Sequence, residues 1–207
     1  MNGYAARVGA TCGILFPIGL FAGDSYTMRG LALAAITLAL PFFAYLYALL
    51  REAEGPGGWL APTAFATGLA GVTLKLASIA PEFAIHRLDV ADGTQLHDVL
   101  QGIADGGTDM CLYPLALMAA AVCVVAVRTR LLPRWLGYGA GVTAVALAVN
   151  ATINLYSKGG FIPAFLLFLL WTLVTGIVLL RRGQEAPRWM ARTVSTVSAS
   201  SADLSGR

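Results

Sequence analysis

Long apolar stretches separated by short polar punctuation recur along most of the chain, over residues 8–22, 30–50, 60–80, 108–127, 135–155 and 161–180. A helix rises ~1.5 Å per residue, so ~20 apolar residues cross a hydrocarbon layer ~30 Å thick. Five stretches meet that length and the first falls slightly short. The pattern predicts an all-α polytopic membrane bundle of six transmembrane helices filling residues 1–182. Arg51-Glu52 and Gly55-Pro56-Gly57-Gly58 close the second span, Pro81 the third, Arg128-Thr129-Arg130 the fourth and Arg181-Arg182 the sixth. Pro17 and Pro41 fall inside spans, where neighbouring helices can satisfy the carbonyls they free. The start of the chain imitates a secretory signal, but Pro17 interrupts its apolar core and further spans follow, so a retained first helix is expected. Residues 183–207 alternate Ser, Thr, Ala and Val without an apolar period, which predicts a disordered cytoplasmic tail. Arg188-Trp189-Met190-Ala191-Arg192 within it suits either the inner membrane surface or solvent.

One segment breaks the apolar pattern. Between Glu82 and Asp109 stand Glu82, Asp89, Asp92, Asp98, Asp105 and Asp109, both histidines (His86, His97) and a single basic residue, Arg87. Asp92-Gly93-Thr94-Gln95 reads as a helix start with Asp92 as the cap and Gln95 reaching back to it. Leu96, Val99, Leu100 and Ile103 then recur at helical spacing, with Asp98 and Asp105 on the opposite side. The expectation is a short amphipathic outer helix between spans three and four, ended by Gly106-Gly107.

Composition supports the membrane assignment. The chain of 207 residues is 57% hydrophobic and 12% charged, against about 25% charged in a typical soluble domain. Arg7, Arg51, Arg128, Arg130, Arg134, Arg181, Arg182, Arg188, Arg192 and Arg207 fall on one side of the predicted spans, and only Arg29, Arg87 and Lys158 on the other. The positive-inside rule then predicts a multi-pass protein of the cytoplasmic membrane with both termini cytoplasmic and the acidic segment outside. The basic residues flank spans and are not interleaved with aromatics, so nucleic acid is not an expected partner. Membrane lipids, a small hydrophobic or amphipathic ligand, or a second copy of the chain in a homo-oligomer are. Cys12, Cys111 and Cys123 form no CxxC pair and read as small apolar residues. His86 and His97, eleven residues apart, lack metal-site spacing, so no metal and no cofactor is expected.

Candidate chemistry concentrates near the outer ends of three spans. Lys75 lies ~22 Å along the third span, close enough to the boundary to snorkel or to turn inward and pair. Gly68, Gly71, Lys75, Ser78 and Glu82 share one small-and-polar stripe, which favours the inward orientation. Thr143, Asn150 and Asn154 share a face of the fifth span, and Tyr113, with Asp109 above it, reaches similar depth on the fourth. The bland reading is interhelical hydrogen bonding, worth ~0.6 kcal/mol on average per contact. The sharper one is an outward-facing polar pocket in which Lys75, Ser78, Asn150, Asn154 and Tyr113 bind a small ligand or lipid. An alternative is a membrane-embedded enzyme acting on a lipidic substrate, with Glu82 or Asp109 as acid/base, Tyr113 as proton donor and Lys75 as electrostatic stabiliser. A small-solute transporter is the third reading, set back by the lack of an internal repeat.

Arg130-Leu131-Leu132-Pro133-Arg134-Trp135-Leu136-Gly137, a glycine- and alanine-rich span, and then Pro163, Trp171, Gly176 and Arg181-Arg182 together resemble the carboxyl half of small six-span bacterial integral membrane proteins of unknown function. The resemblance implies a six-span fold and assigns no functional residue.

Overall fold

The computed structural model describes residues 3–22, 29–156 and 164–181. They form six helices and, among the described residues, no strand: α1 (Gly3–Ala22), α2 (Arg29–Glu54), α3 (Leu60–Arg87), α4 (Gln95–Thr129), α5 (Arg134–Tyr156) and α6 (Ala164–Arg181). Five of these, α2 to α6, contain segments long and apolar enough to cross a membrane, whereas the apolar part of α1, Arg7–Leu20, is shorter. The expected multi-pass helical architecture is therefore present, with five helices that meet the length and composition of a crossing and a shorter apolar segment in α1. Lys158 and the tail over 183–207 lie outside the described residues.

Successive helices run antiparallel, and small residues set their spacing. Along α1, Gly9, Gly13 and Gly19 face Tyr45, Phe42 and Ala35 of α2, a rising order met by a falling one. On α3 and α4 the same inversion pairs Gly68 with Met118, Gly71 with Leu115 and Ser78 with Gly107. Gly141 of α5 meets Cys123 of α4, and Gly176 of α6 rests against the backbone of α1 at Ala10 and Gly13. In lipid, apolar burial does not distinguish one helix from another, so close van der Waals fit at such positions is what fixes neighbours. The interior is filled by large side chains, among them Phe42, Leu50, Met118, Leu147 and Phe168, each nearly or wholly buried. Trp171 of α6 donates its indole N–H to the Leu136 carbonyl of α5 at 3.2 Å, fastening the last helix to the rest.

Three expectations about the acidic segment are corrected. First, α3 does not end at Pro81 but continues to Arg87. Pro81 leaves the Ala77 carbonyl without its helical donor and crowds it with its ring, yet the helix continues through it, as membrane helices tolerate. Second, Gly106-Gly107 does not break α4, which is one continuous helix of 35 residues. A Cβ at Gly107 would lie 2.8 Å from Ser78 Cβ, so this glycine serves close approach to α3 rather than a turn. The separate short outer helix is thus the first part of α4, and Leu96, Val99 and Ile103 are each more than half exposed rather than packed on the bundle. Third, Thr94 caps α4, not Asp92: its backbone is extended, and its hydroxyl accepts the His97 N–H at 3.3 Å.

The consequence is a fork. At ~1.5 Å per residue, α4 is about 52 Å long and α3 about 42 Å, both beyond the ~30 Å of a hydrocarbon layer. The carboxyl end of α3 and the amino end of α4 lie together, joined by the turn over residues 88–94.

Candidate functional site: a polar layer beneath an acidic recess

The turn that closes the fork is built by a helix stop. Asp89 adopts the left-handed conformation (φ 51°). The Val90 N–H reaches the Ile85 carbonyl at 3.0 Å, and the Asp89 N–H reaches that of His86 at 3.4 Å. This is the double bond of a Schellman stop, at a position where glycine is the usual residue because it has no Cβ to clash. Gly93 (φ 76°) then reverses the chain, and the Thr94 hydroxyl donates to the Ala91 carbonyl at 2.8 Å before capping α4.

Between the arms of the fork lies a recess of about 600 Å³. Glu82, Ile85 and His86 line it from α3, Asp89 to Asp92 from the turn, and His97 and Gln101 from α4. Three of these side chains are carboxylates and none is a lysine or arginine. His97 Nε2 stands 3.2 Å from Asp92 and its Nδ1 3.6 Å from Asp98. Gln101 donates to Asp105 at 3.0 Å. Among the described residues no group of three His, Cys, Asp or Glu side chains is arranged to hold a metal ion.

Below the recess the polar residues singled out from the sequence form two ties rather than one pocket. On the α3 side, the Lys75 ammonium donates to the Thr108 hydroxyl at 2.9 Å, and Ser78, which donates to the Lys75 carbonyl, shares a 3.2 Å hydroxyl contact with Thr108. On the α5 side, Asn154 donates to the Asp109 carboxylate at 2.7 Å and the Tyr113 hydroxyl lies 3.3 Å from that of Thr152. Thr108 and Asp109 are consecutive on α4, and about 100° of helical rotation points them at different neighbours. Lys75 faces inward, as its stripe implied, and Asn150 is buried at 5% exposure, whereas Tyr113 is 44% exposed. The cavity beside Lys75, lined among others by Phe16, Phe43, Leu115 and Phe168, measures about 20 Å³, room for about one water molecule.

Thr108 and Thr152 were missed from sequence as partners, and Gly107 was read only as a helix breaker. Threonine and glycine near a span end carry no charge or period to mark them; only the pairing of α3 with α4 shows what they meet. Cys12, Cys111 and Cys123 are free thiols, as their spacing implied. No protein-family model matches the chain, and comparison with curated proteins and with solved structures finds no match either.

Proposed function

We propose that this integral membrane protein binds a small organic cation in the recess at the end of α3 and α4, on the external face of the cytoplasmic membrane. The observation that carries the reading is the recess itself, which falls in the ~300–1,000 Å³ range of small-molecule sites. Glu82, Asp89 and Asp92 supply three carboxylates to a lining that has no lysine or arginine, with His86 and His97 beside them. A concave surface of one charge concentrates ions of the other. Asp89 adds to the argument, because a carboxylate stands at a backbone conformation that glycine would adopt at less cost. Sidedness follows from the distribution of arginines. The length of α1, about 30 Å for its 20 residues, and its antiparallel packing along α2 favour a sixth crossing, with both termini in the cytoplasm.

In this reading Lys75, Ser78, Asn150, Asn154 and Tyr113 lie beneath the ligand and hold α3, α4 and α5 level, so that Glu82, one turn above Ser78, projects into the recess. The enzymatic alternative pairs Glu82 or Asp109 as acid/base with Tyr113 as proton donor and Lys75 as stabiliser; Asp109 and Tyr113 are bonded to Asn154 and Thr152 of α5, whereas Lys75 is bonded to Thr108 on the α3 side. The transport alternative requires a path through the layer of Phe43, Leu115 and Phe168, all nearly fully buried.

The test uses 1,4-diaminobutane as the probe, titrated calorimetrically into the purified protein in neutral detergent. Binding is expected to weaken severalfold in Glu82→Gln and in Asp92→Asn, and to weaken with added salt, since the Debye length shrinks to ~10 Å at 0.1 M. Asp89→Gly is expected to weaken binding while raising resistance to unfolding. Absence of binding by the wild-type protein, or undiminished binding by all three variants, would refute the proposal.

A further inference from the structure

The opposite end of the bundle carries a second concavity of different character. A groove of about 170 Å³ runs between α5 and α6, lined by Trp135, Leu136, Gly139 and Thr143 on one side and by Leu167, Leu170, Trp171 and Val174 on the other. Its lining is apolar apart from Thr143, and that hydroxyl is spent on the Gly139 carbonyl at 2.8 Å. Gly139 leaves the groove open: a Cβ there would stand 3.6 Å from Trp171 Cδ1, in ordinary contact, while a longer side chain would occupy the space.

Charge gathers where this groove begins. Arg134 opens α5 immediately before Trp135, Arg130 ends α4 in the left-handed conformation (φ 55°), and α6 ends at Arg181; all three are exposed. From Met110 to Arg182 the chain contains no aspartate or glutamate, so these cations have no carboxylate partner within α5, α6 or the turn before α5. An apolar channel with an exposed tryptophan and exposed arginines at its mouth matches an amphiphile with a negative head and a hydrocarbon tail.

We propose that the α5/α6 groove is a binding site for an anionic phospholipid, its acyl chain lying against Gly139 and Trp171 and its phosphate between Arg130 and Arg134. Arg181 extends the same positive surface. The site is independent of the acidic recess, being at the other end of the bundle and built from other helices.

The experiment reconstitutes the full-length chain carrying Trp59→Phe and Trp189→Phe, so that Trp135 and Trp171 report alone, into vesicles containing lipids with brominated acyl chains. Brominated phosphatidylglycerol is expected to quench their fluorescence at about one-third the mole fraction needed for brominated phosphatidylcholine. Arg130→Gln combined with Arg134→Gln, both at exposed positions, is expected to erase that difference. Gly139→Leu is expected to reduce quenching by either lipid, while Gly139→Ala, which fits, leaves it unchanged. Equal quenching by the two lipids in the parent protein, meaning bulk lipid only, would overturn the proposal. So would a preference that survives both arginine exchanges, or absence of quenching together with a dimeric mass by light scattering, meaning a second copy fills the groove.

Discussion

The turn between α2 and α3 offers a double-mutant test of how these helices are started. Trp59, the residue before α3, makes no side-chain cap bond. The carboxylate of Glu54, the last residue of α2, reaches across instead and accepts the N–H groups of Leu60 at 3.0 Å and Ala61 at 2.9 Å. Arg51 braces the same turn by donating to the Gly58 carbonyl at 2.6 Å. A side-chain cap is worth about 0.5–2 kcal/mol and an anion at a helix start about 0.3–1 kcal/mol. The freed amides can find water at this edge, so Glu54→Ala should cost about 1.5 kcal/mol, roughly tenfold in the folding equilibrium. Gly58 has no left-handed backbone, unlike Gly55 (φ 81°) and Gly57 (φ 86°), yet a Cβ on it would overlap the Glu54 carboxyl carbon. Gly58→Ala should therefore evict the carboxylate and cost a similar amount. Because both exchanges remove the same two bonds, the double variant should lose about 1.5 kcal/mol and not 3, a coupling of about 1.5 kcal/mol. Equilibrium unfolding of the four proteins in mixed detergent micelles, followed by far-ultraviolet circular dichroism, measures this. Strictly additive losses would show that Glu54 is not what starts α3.

Two further predictions concern α4. Adjacent glycines should respond with opposite sign: a Cβ at Gly106 meets nothing within 4 Å, so Gly106→Ala should gain about 0.5–1 kcal/mol from helix propensity. Gly107→Ala, pressed against Ser78, should lose about 1–3 kcal/mol; the same unfolding assay decides. Asp109→Ala and Asn154→Ala should be coupled by about 1 kcal/mol, the scale of an interhelical hydrogen bond in a membrane protein, and independence of the two effects would show that their 2.7 Å bond contributes nothing to stability.

The candidate residues were legible in the sequence to different degrees. Lys75 and Ser78 stood out because a cation and a hydroxyl share a stripe with Gly68 and Gly71, and the structure turns that stripe onto α4. Counting residues from the span ends put Asn150 and Tyr113 at the depth of Lys75 with Asp109 above Tyr113, but it did not pair Asp109 with Asn154, to which it is bonded. What counting could not supply is that these pairs lie on different faces of α4. Depth can be counted along a helix, but direction around it is set by the helix that packs alongside, and α4 faces α3 with Thr108 and α5 with Asp109.

Span lengths and the interruption from Glu82 to Asp109 are consequences of local chemistry: a bilayer demands apolar runs of fixed length, and each run reports on itself alone. The sequence by itself therefore determined a multi-pass helical bundle with a polar segment at one end. Tertiary structure decided what the glycines and prolines do. Gly107 and Pro81 look like breakers when only the local chain is considered, yet the helices continue through both. It also decided that α3 and α4, each longer than a crossing needs, pair along their length and leave the acidic recess between them, since a fork exists only once two long helices have paired.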